Sequence, residues 1–331
     1  MEQALTTWLA QYNAVLTTQL DLQLPDYPGQ LQAVGESRAY SPLTRFAVLA
    51  ISGEDATAFL QGQFSCDVAA LAGNGVTLGS YSTAKGRMQA SFVLVAAADR
   101  YYLVLRKDIA ETFRRRLGMF VLRAKVKIED VSASLQPWLQ QVPAGAAAKV
   151  QVDGEQGVVA DTGHGIALHL QPVDVLPALG SDKAWQPVGS MAADLAFIRA
   201  GLGWVSQATY EEFVPQMLNL ELIGGISFKK GCYPGQEIVA RTQYLGKVKR
   251  RMYRARVMGA MQVPEGAALI ATATGDQIIG RVVLAAQLAE AVFEVLLVIQ
   301  TAAWEDGARL QEYPAAKVEM MPLPYAFPDA D

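Results

Sequence analysis

The sequence predicts an α+β protein made of a ferredoxin-like module, a second α+β module and a small C-terminal antiparallel β-barrel or sandwich. Three observations carry that expectation. Strand and helix patterns between residues 45 and 131 follow the order β-α-β-β-α-β, the plan of the split βαβ fold. From about residue 246 the chain changes to five short strands divided by Gly, Pro and acidic turns. Finally, 331 residues, 51% of them hydrophobic, call for two or three cores rather than one.

Residues 1–36 read as a helical extension. Leu5, Trp8, Leu9, Tyr12, Leu16 and Leu20 have helical spacing over residues 2–20, and Pro25, Pro28 and Gly29 mark a loop behind them. The first module, 37–131, opens with a strand at 45–52 and a helix at 54–63. Strands at 76–83, 89–96 and 101–106 follow, then a helix at 108–120 opened by Asp108 and an alternating strand at 125–131. The second module, 132–244, shows strands at 148–153, 157–161 and 165–171 and a helix at 190–200 stopped by Gly201. The barrel takes up 245–331, and no internal repeat of fixed period runs through the chain.

Composition removes several classes of function. With 28 Lys and Arg against 32 acidic residues the formal charge is −4, so the chain is not a generally basic nucleic-acid coat. The start, MEQALTTWLAQYNAV, lacks the basic head and cleavage site of a signal peptide. The apolar run Val292 to Trp304 is interrupted by Glu294, Gln300 and Thr301, so no membrane span is expected. Two distant cysteines, Cys66 and Cys232, build no disulfide framework, and a reduced, cytoplasmic setting is the expectation. They also cannot enclose an iron–sulfur cluster alone, so no permanently bound metal is expected. His164 and His169, five residues apart in a strand-like stretch, fit no common zinc spacing.

The stretch most loaded with chemistry is FKKGCYPGQEIVAR, residues 228–241. Pro234 and Gly235 occupy the two central positions of a type II turn, and Gln236 onward reads as the start of a helix. Cys232 thus lies near a helix N-terminus behind Lys229 and Lys230, a setting that favours an ionised sulfur, while Glu237 acts against it. From spacing alone two readings remain open: a reactive thiol, or a buried cysteine serving as a small hydrophobe. Cys66, at the end of a predicted helix, reads as structural. Downstream, Arg241, Lys247, Lys249, Arg250, Arg251, Arg254 and Arg256 form a basic stripe over 241–256 without an acid. It fits a solvated strand guarded by charge, or an anion site for a folate glutamyl tail or RNA phosphates.

LIGGISFKKGCYPGQEIVAR (222–241), FLQGQFSCDV (59–68), AKGR (84–87), FVPQMLNLELIGG (213–225) and MPLPYAF (321–327) together resemble the signature segments of the YgfZ family. The resemblance runs from about residue 40 to the end. It implies a fold similar to the T-protein of glycine cleavage, with three modules around a folate-sized cavity. It also implies tetrahydrofolate or a derivative as cofactor, and iron–sulfur client enzymes, including those that thiomethylate tRNA, as partners. By motif the functional thiol falls on Cys232, a possible transient metal ligand, with Lys230, Gly231, Tyr233, Gly235, Gln236, Glu237 and Arg241 shaping its site. Lys85, Gly86 and Arg87 match a second segment. Positions where relatives use tryptophan toward folate are Phe46 and Ala193 here. The glutamate with which T-proteins read the pterin is Arg199, and the stretch Lys85 to Ala90 has no counterpart of their catalytic aspartate. An aminomethyltransferase-like enzyme and an RNA- or partner-binding module are the alternative expectations.

Overall fold

The computed structural model describes residues 3–327 except 72, 146, 154–156, 176–183, 247, 272–274, 276 and 304–306. The predicted positions Lys247 and Trp304, and the end of the strand expected at 268–274, lie outside the described residues.

At the N-terminus the helical spacing yields a short helix, α1 (Gln3–Gln11), and then a two-residue hairpin, β1 (Val15–Leu16) with β2 (Leu22–Gln23). The loop expected around Pro25 and Pro28 is instead the head of a second helix, α2 (Tyr27–Gly35). Asp26 caps it, its Oδ1 accepting from the Gly29 N–H at 3.2 Å. Pro28 sits in the first turn, where the missing N–H has no intrahelical role.

β3 (Ala39–Pro42) is followed by the first module proper: β4 (Phe46–Ser52), α3 (Ala56–Gln61), β5 (Gly75–Ser82), β6 (Met88–Ala97), β7 (Arg100–Arg106), α4 (Lys107–Gly118) and β8 (Lys127–Asp130). Its sheet has the order β5-β6-β7-β4-β8 and is antiparallel throughout. Strands β8, β4, β7 and β6 give the split βαβ arrangement, and β5 extends it by one edge strand. All ten residues of β6 are buried, because α4 covers one face while strands of the second sheet lie against the other. Ile109, Ala110, Phe113 and Leu117 form the inner stripe of α4. There Phe113 meets Tyr81 edge-on, with ring centroids 5.4 Å apart, and Phe64 packs on Phe92 at 4.5 Å.

The second sheet uses β9 (Leu135–Gln141), β10 (Lys149–Asp153), β11 (Gly157–Asp161), β12 (Ile166–Pro172) and β13 (Gln186–Pro187), in the order β10-β11-β12-β9-β3-β13. β3 therefore precedes the first module in the chain but pairs with the second sheet, through Tyr40 opposite Gln140. The N-terminal extension packs here too: Trp8, Leu22, Tyr40 and Trp138 form a satellite core. α5 (Ser190–Arg199) is buried along almost its whole length, touching α2 and the third sheet. α6 (Gln236–Tyr244) closes this part.

Six strands, one more than expected, form the third sheet: β14 (Arg250–Met258), β15 (Ala268–Ala271), β16 (Ile278–Ala289), β17 (Val292–Gln300), β18 (Ala308–Leu310) and β19 (Lys317–Met321). The additional β18 is three residues long, too short for alternation to reveal. Order β18-β15-β16-β17-β14-β19 is antiparallel throughout. Along β17, Phe293, Val295, Leu297 and Ile299 point into this sheet's own core, whereas Leu296 and Val298 join the main core. Among the described residues no helix is long and apolar enough to cross a membrane.

The two histidines separate. His164 lies in the turn before β12, with its Nε2 3.1 Å from the Ile223 carbonyl; His169 is buried within β12, its Nε2 2.7 Å from Gln140 Oε1. Burial pushes the His169 imidazole down to about 4 and also lowers His164. The unfolded chain takes up the His169 proton near the ordinary value of ~6.5, the folded chain only near 4. Stability from His169 is therefore complete above ~6.5 and lost as pH falls from there toward 4, by up to roughly 3 kcal/mol. Urea midpoints at pH 7.5 and 5 should differ in the parent protein and differ less in His169→Gln. An equal difference in both would remove this residue from the account.

Candidate functional site

The turn expected at Tyr233–Gln236 forms. The Gln236 N–H donates to the Tyr233 carbonyl at 3.1 Å, and Gly235 has φ 82° and ψ 0°, the type II values that favour glycine. Gly235 is also the N-cap of α6. Cys232 is exposed, three residues ahead of that cap. The buried-hydrophobe reading thus falls to the other cysteine. Cys66 is fully buried, and burial raises its thiol to about 12, which makes it inert at neutral pH.

Lys230 does not turn toward the thiol. Its Nζ donates to the Phe64 carbonyl at 2.7 Å and the Cys66 carbonyl at 2.8 Å, and lies 5.2 Å from the centroid of the Tyr233 ring. Burial in that position lowers the Lys230 pKa, against the raising influence of Cys66 and Asp67. Beside it, the Ser227 N–H donates to the Ser65 carbonyl at 2.8 Å, and Ser65 Oγ donates to the Gly225 carbonyl at 2.6 Å. The segments QGQFSC and GGISFKK are thereby stitched together. Tyr233 is buried with its hydroxyl unpartnered; desolvation, with Cys66 adding to it, pushes the phenol up to about 12.

The third predicted segment meets the same turn. Thr83 to Arg87 is the tight connection between β5 and β6, and Gly86 adopts φ 72°. A Cβ on Gly235 would stand 2.7 Å from Gly86 Cα and 2.6 Å from the Thr83 carbonyl oxygen, so two glycines let two backbones touch. Arg87 fastens the connection to the second module through Nη1 to the Glu212 carbonyl, 2.6 Å. Lys85, Lys229, Glu237 and Arg241 are exposed, and Gln236 is half-buried. The structure thus sets the 83–87 connection against the thiol turn through Gly86 and Gly235, and packs Lys230 against Tyr233 beside the same turn.

The remaining predicted residues lie elsewhere. A cavity of about 470 Å³ opens between the N-terminal hairpin, the first module, α5 and the third module, bounded by Arg45 and Arg106 from the first module, Asp194 on α5 and Glu265 from the third. Arg45 Nη2 is 2.5 Å from Asp194 Oδ2, and its Nη1 is 3.4 Å from Asp21. Arg106 pairs with Glu265 at 2.8 Å and approaches Asp108 at 3.8 Å. Phe46 and Ala193 wall a narrow annex beside Asp194. Phe46 is also held between Trp204, 4.9 Å between centroids, and the Arg106 guanidinium at 5.9 Å. Cys232 is not among the residues lining this cavity. Sequence reading missed Arg45, Arg106, Asp194 and Glu265, although an acid inside the apolar run of α5 is a recognisable mark of a buried, partnered charge.

Arg199 points into neither place. Its Nε reaches Glu294 Oε1 at 3.4 Å, on a carboxylate that Arg254 binds at 2.6 Å. Arg251 pairs with Glu221 at 2.6 Å. The stripe over 241–256 is therefore partly internal wiring, and of its described members Arg241 and Lys249 stay exposed.

No protein-family model matches the chain. Across solved structures, it is similar to the glycine cleavage system aminomethyltransferase T from Bartonella henselae, with a TM-score of 0.64, 14% identity and 96% of each chain covered. The fold is that of a T-protein. Among curated proteins, the tRNA-modifying protein YgfZ of Aliivibrio fischeri strain MJ11 is 31% identical over 300 residues, 87% of this chain and 93% of that one. Its namesake in Photobacterium profundum is 30% identical over 304 residues, 87% and 91%; that of Vibrio vulnificus strain YJ016 is 31% identical over 259 residues, 75% and 79%. Likeness of this extent places the chain in the YgfZ family.

Proposed function

We propose that the protein is a folate-binding accessory factor for iron–sulfur enzymes that modify tRNA, with Cys232 as its working thiol. The observation that carries this reading is the exposed sulfur on a turn whose position two other segments fix. Lys230 anchors the turn to the Phe64 and Cys66 carbonyls, and Gly235 presses it onto Gly86. A thiol serving only to pack has no need of that scaffold, and the packing role is already filled by Cys66. A fixed, accessible sulfur is suited to ligate iron briefly as a thiolate and to release it to a client enzyme by ligand exchange. Lys230 and Tyr233 shape its base; Lys85, Arg87, Gln236, Glu237 and Arg241 form the rim that a partner would meet.

Support for tRNA modification comes from relatives that carry it in their name. Support for a folate comes from the T-protein fold together with the cavity beside Phe46 and Ala193. The size of that cavity falls within the ~300–1,000 Å³ of ordinary small-molecule sites. The test is complementation of cells lacking the protein, reading thiomethylated adenosine in tRNA by mass spectrometry. Cys232→Ser should lower it several-fold at equal protein level, while Cys66→Ser, if folded, should not. Full complementation by Cys232→Ser would defeat the reading.

A further inference from the structure

We propose that the outer face of α6, with the cations that flank it, binds single-stranded RNA: a base stacks on Tyr244, while Arg241, Lys229, Lys249 and Lys85 hold the phosphates. This goes beyond the function proposed above and needs neither the folate nor the thiol.

The direction of that face is set by what lies beneath it. Val239 is the one buried residue of α6, and its carbonyl accepts from Gln216 Nε2 at 2.7 Å. With about 100° of turn per residue, Glu237, Ile238, Arg241, Tyr244 and Leu245 fall within roughly 120° of one another on the opposite side. All five are exposed. A surface helix ordinarily gives that side to polar groups. Here Tyr244 is 67% exposed, Leu245 84% and Ile238 36%. Three large apolar groups on the solvent side of one short helix point to a contact surface.

Charge narrows the choice of occupant. Arg241 lies on that face and Lys249 just beyond the helix; Lys229 follows Phe228, and Lys85 belongs to the connection whose Gly86 lies against Ile238. All four are exposed, and among the described residues none of them forms an ion pair. Elsewhere on the surface Lys125, Lys127 and Arg114 each hold a carboxylate. Glu237 is the only acid on α6. In a chain of formal charge −4 this is a local excess of unpaired cations, and it calls for a polyanion.

The tyrosine decides between polyanions. Phe228 meets the Tyr244 ring at 70°, with centroids 5.8 Å apart, which steadies the ring without stacking on it. Among the described residues no other ring stacks on it either. A nucleobase takes such a ring whatever its sequence, and its backbone carries phosphates to the cations nearby. A duplex has no base to offer, because its bases are already stacked on one another. An acidic peptide satisfies the cations but makes no use of the ring.

Fluorescence anisotropy of the full-length chain tests this with a fluorescein-labelled RNA strand of about twelve nucleotides. The same strand annealed to its complement and an oligoglutamate peptide of equal charge are the comparisons. The parent should bind the single strand with log Kd rising against log salt at a slope of about 2–3, as for three or four phosphates. The duplex should bind more weakly, and oligoglutamate should not displace the strand. Tyr244→Ala should weaken binding about tenfold or more at an unchanged slope, and Tyr244→Phe should match the parent. Arg241→Glu with Lys249→Glu should weaken it and lower the slope by about 1. These side chains are exposed, and a thermal melt by circular dichroism checks that each variant folds. No binding at roughly 50 mM salt overturns the proposal. So does a Tyr244→Ala protein that binds like the parent, a slope unmoved by the double charge reversal, or equal affinity for strand and duplex. Displacement by oligoglutamate overturns it as well, and assigns the surface to an acidic protein segment. None of these results bears on the folate or the thiol, whose tests use other ligands.

Discussion

Glu294→Leu is expected to cost about 3–5 kcal/mol of stability, read as a lowered urea midpoint, the penalty of leaving buried cations without their anion. Glu294 sits in the middle of β17 with its side chain 1% exposed. Neighbours on alternate positions fill the core of the third sheet, so residue 294 faces the other way, toward α5. From that side Arg199 approaches, and from the adjacent strand Arg254 delivers Nε at 2.7 Å and Nη2 at 2.6 Å. One carboxylate thus joins the second module to two strands of the third. Leucine fills the volume but strands two guanidiniums, of which that of Arg254 is only 16% exposed. A control separates charge from packing. Adding Arg199→Met and Arg254→Met to Glu294→Leu should restore most of the loss, because an all-apolar cluster has no unpaired charge to solvate. A single variant that loses less than ~1 kcal/mol would mean that water reaches both arginines as freely as at the surface.

Much of the fold was legible because its main strands and helices are long enough to repeat a period. β4, β5, β6 and β7 alternate or run apolar over seven residues or more, and α4 repeats its inner stripe over three turns. The elements that escaped have reasons of their own. β3 is four residues long and pairs with a strand almost a hundred positions later, which no local pattern records. β9 contains Pro137 and three glutamines, so it reads as irregular although it is the neighbour of β3 and β12. In α2, Pro28 and Gly29 signalled a loop where a capped helix start accommodates both. The candidate site divides along the same line. The thiol turn announces itself within one contiguous segment, since Pro-Gly dictates the turn and the turn places Cys232 ahead of α6. Lys230 was legible as a residue but not in its partners, because the carbonyls of Phe64 and Cys66 are chosen by the tertiary fold. The cavity charges come from separate elements far apart in the chain, and Glu294 looked like nothing more than a break in an apolar run.

Within the thiol turn, two glycines of one motif should respond in opposite ways. Gly231→Ala is expected to be silent, within ~0.5 kcal/mol, because a Cβ there meets no atom within 4 Å. Gly235→Ala is expected to lose about 3 kcal/mol or more, or to release the turn from the hairpin altogether. Two costs combine at residue 235. Its φ of 82° lies in the left-handed region, where a side chain adds about 1–2 kcal/mol. Its Cβ would also come within 2.6 Å of the Thr83 carbonyl oxygen and 2.7 Å of Gly86 Cα, backbone atoms that no rotamer change can move. Gly86, at φ 72° with Ile238 against it, cannot retreat without disturbing the hairpin turn. The strain therefore falls on the head of α6, three residues from Cys232. Trypsin gives the local readout, since Lys229 and Arg241 flank the turn: Gly235→Ala should be cut there faster than the parent or Gly231→Ala, before global unfolding. If Gly235→Ala proves as stable and as resistant as Gly231→Ala, the close contact between helix head and hairpin does not fix the thiol, and the scaffold that singles out Cys232 loses its physical basis.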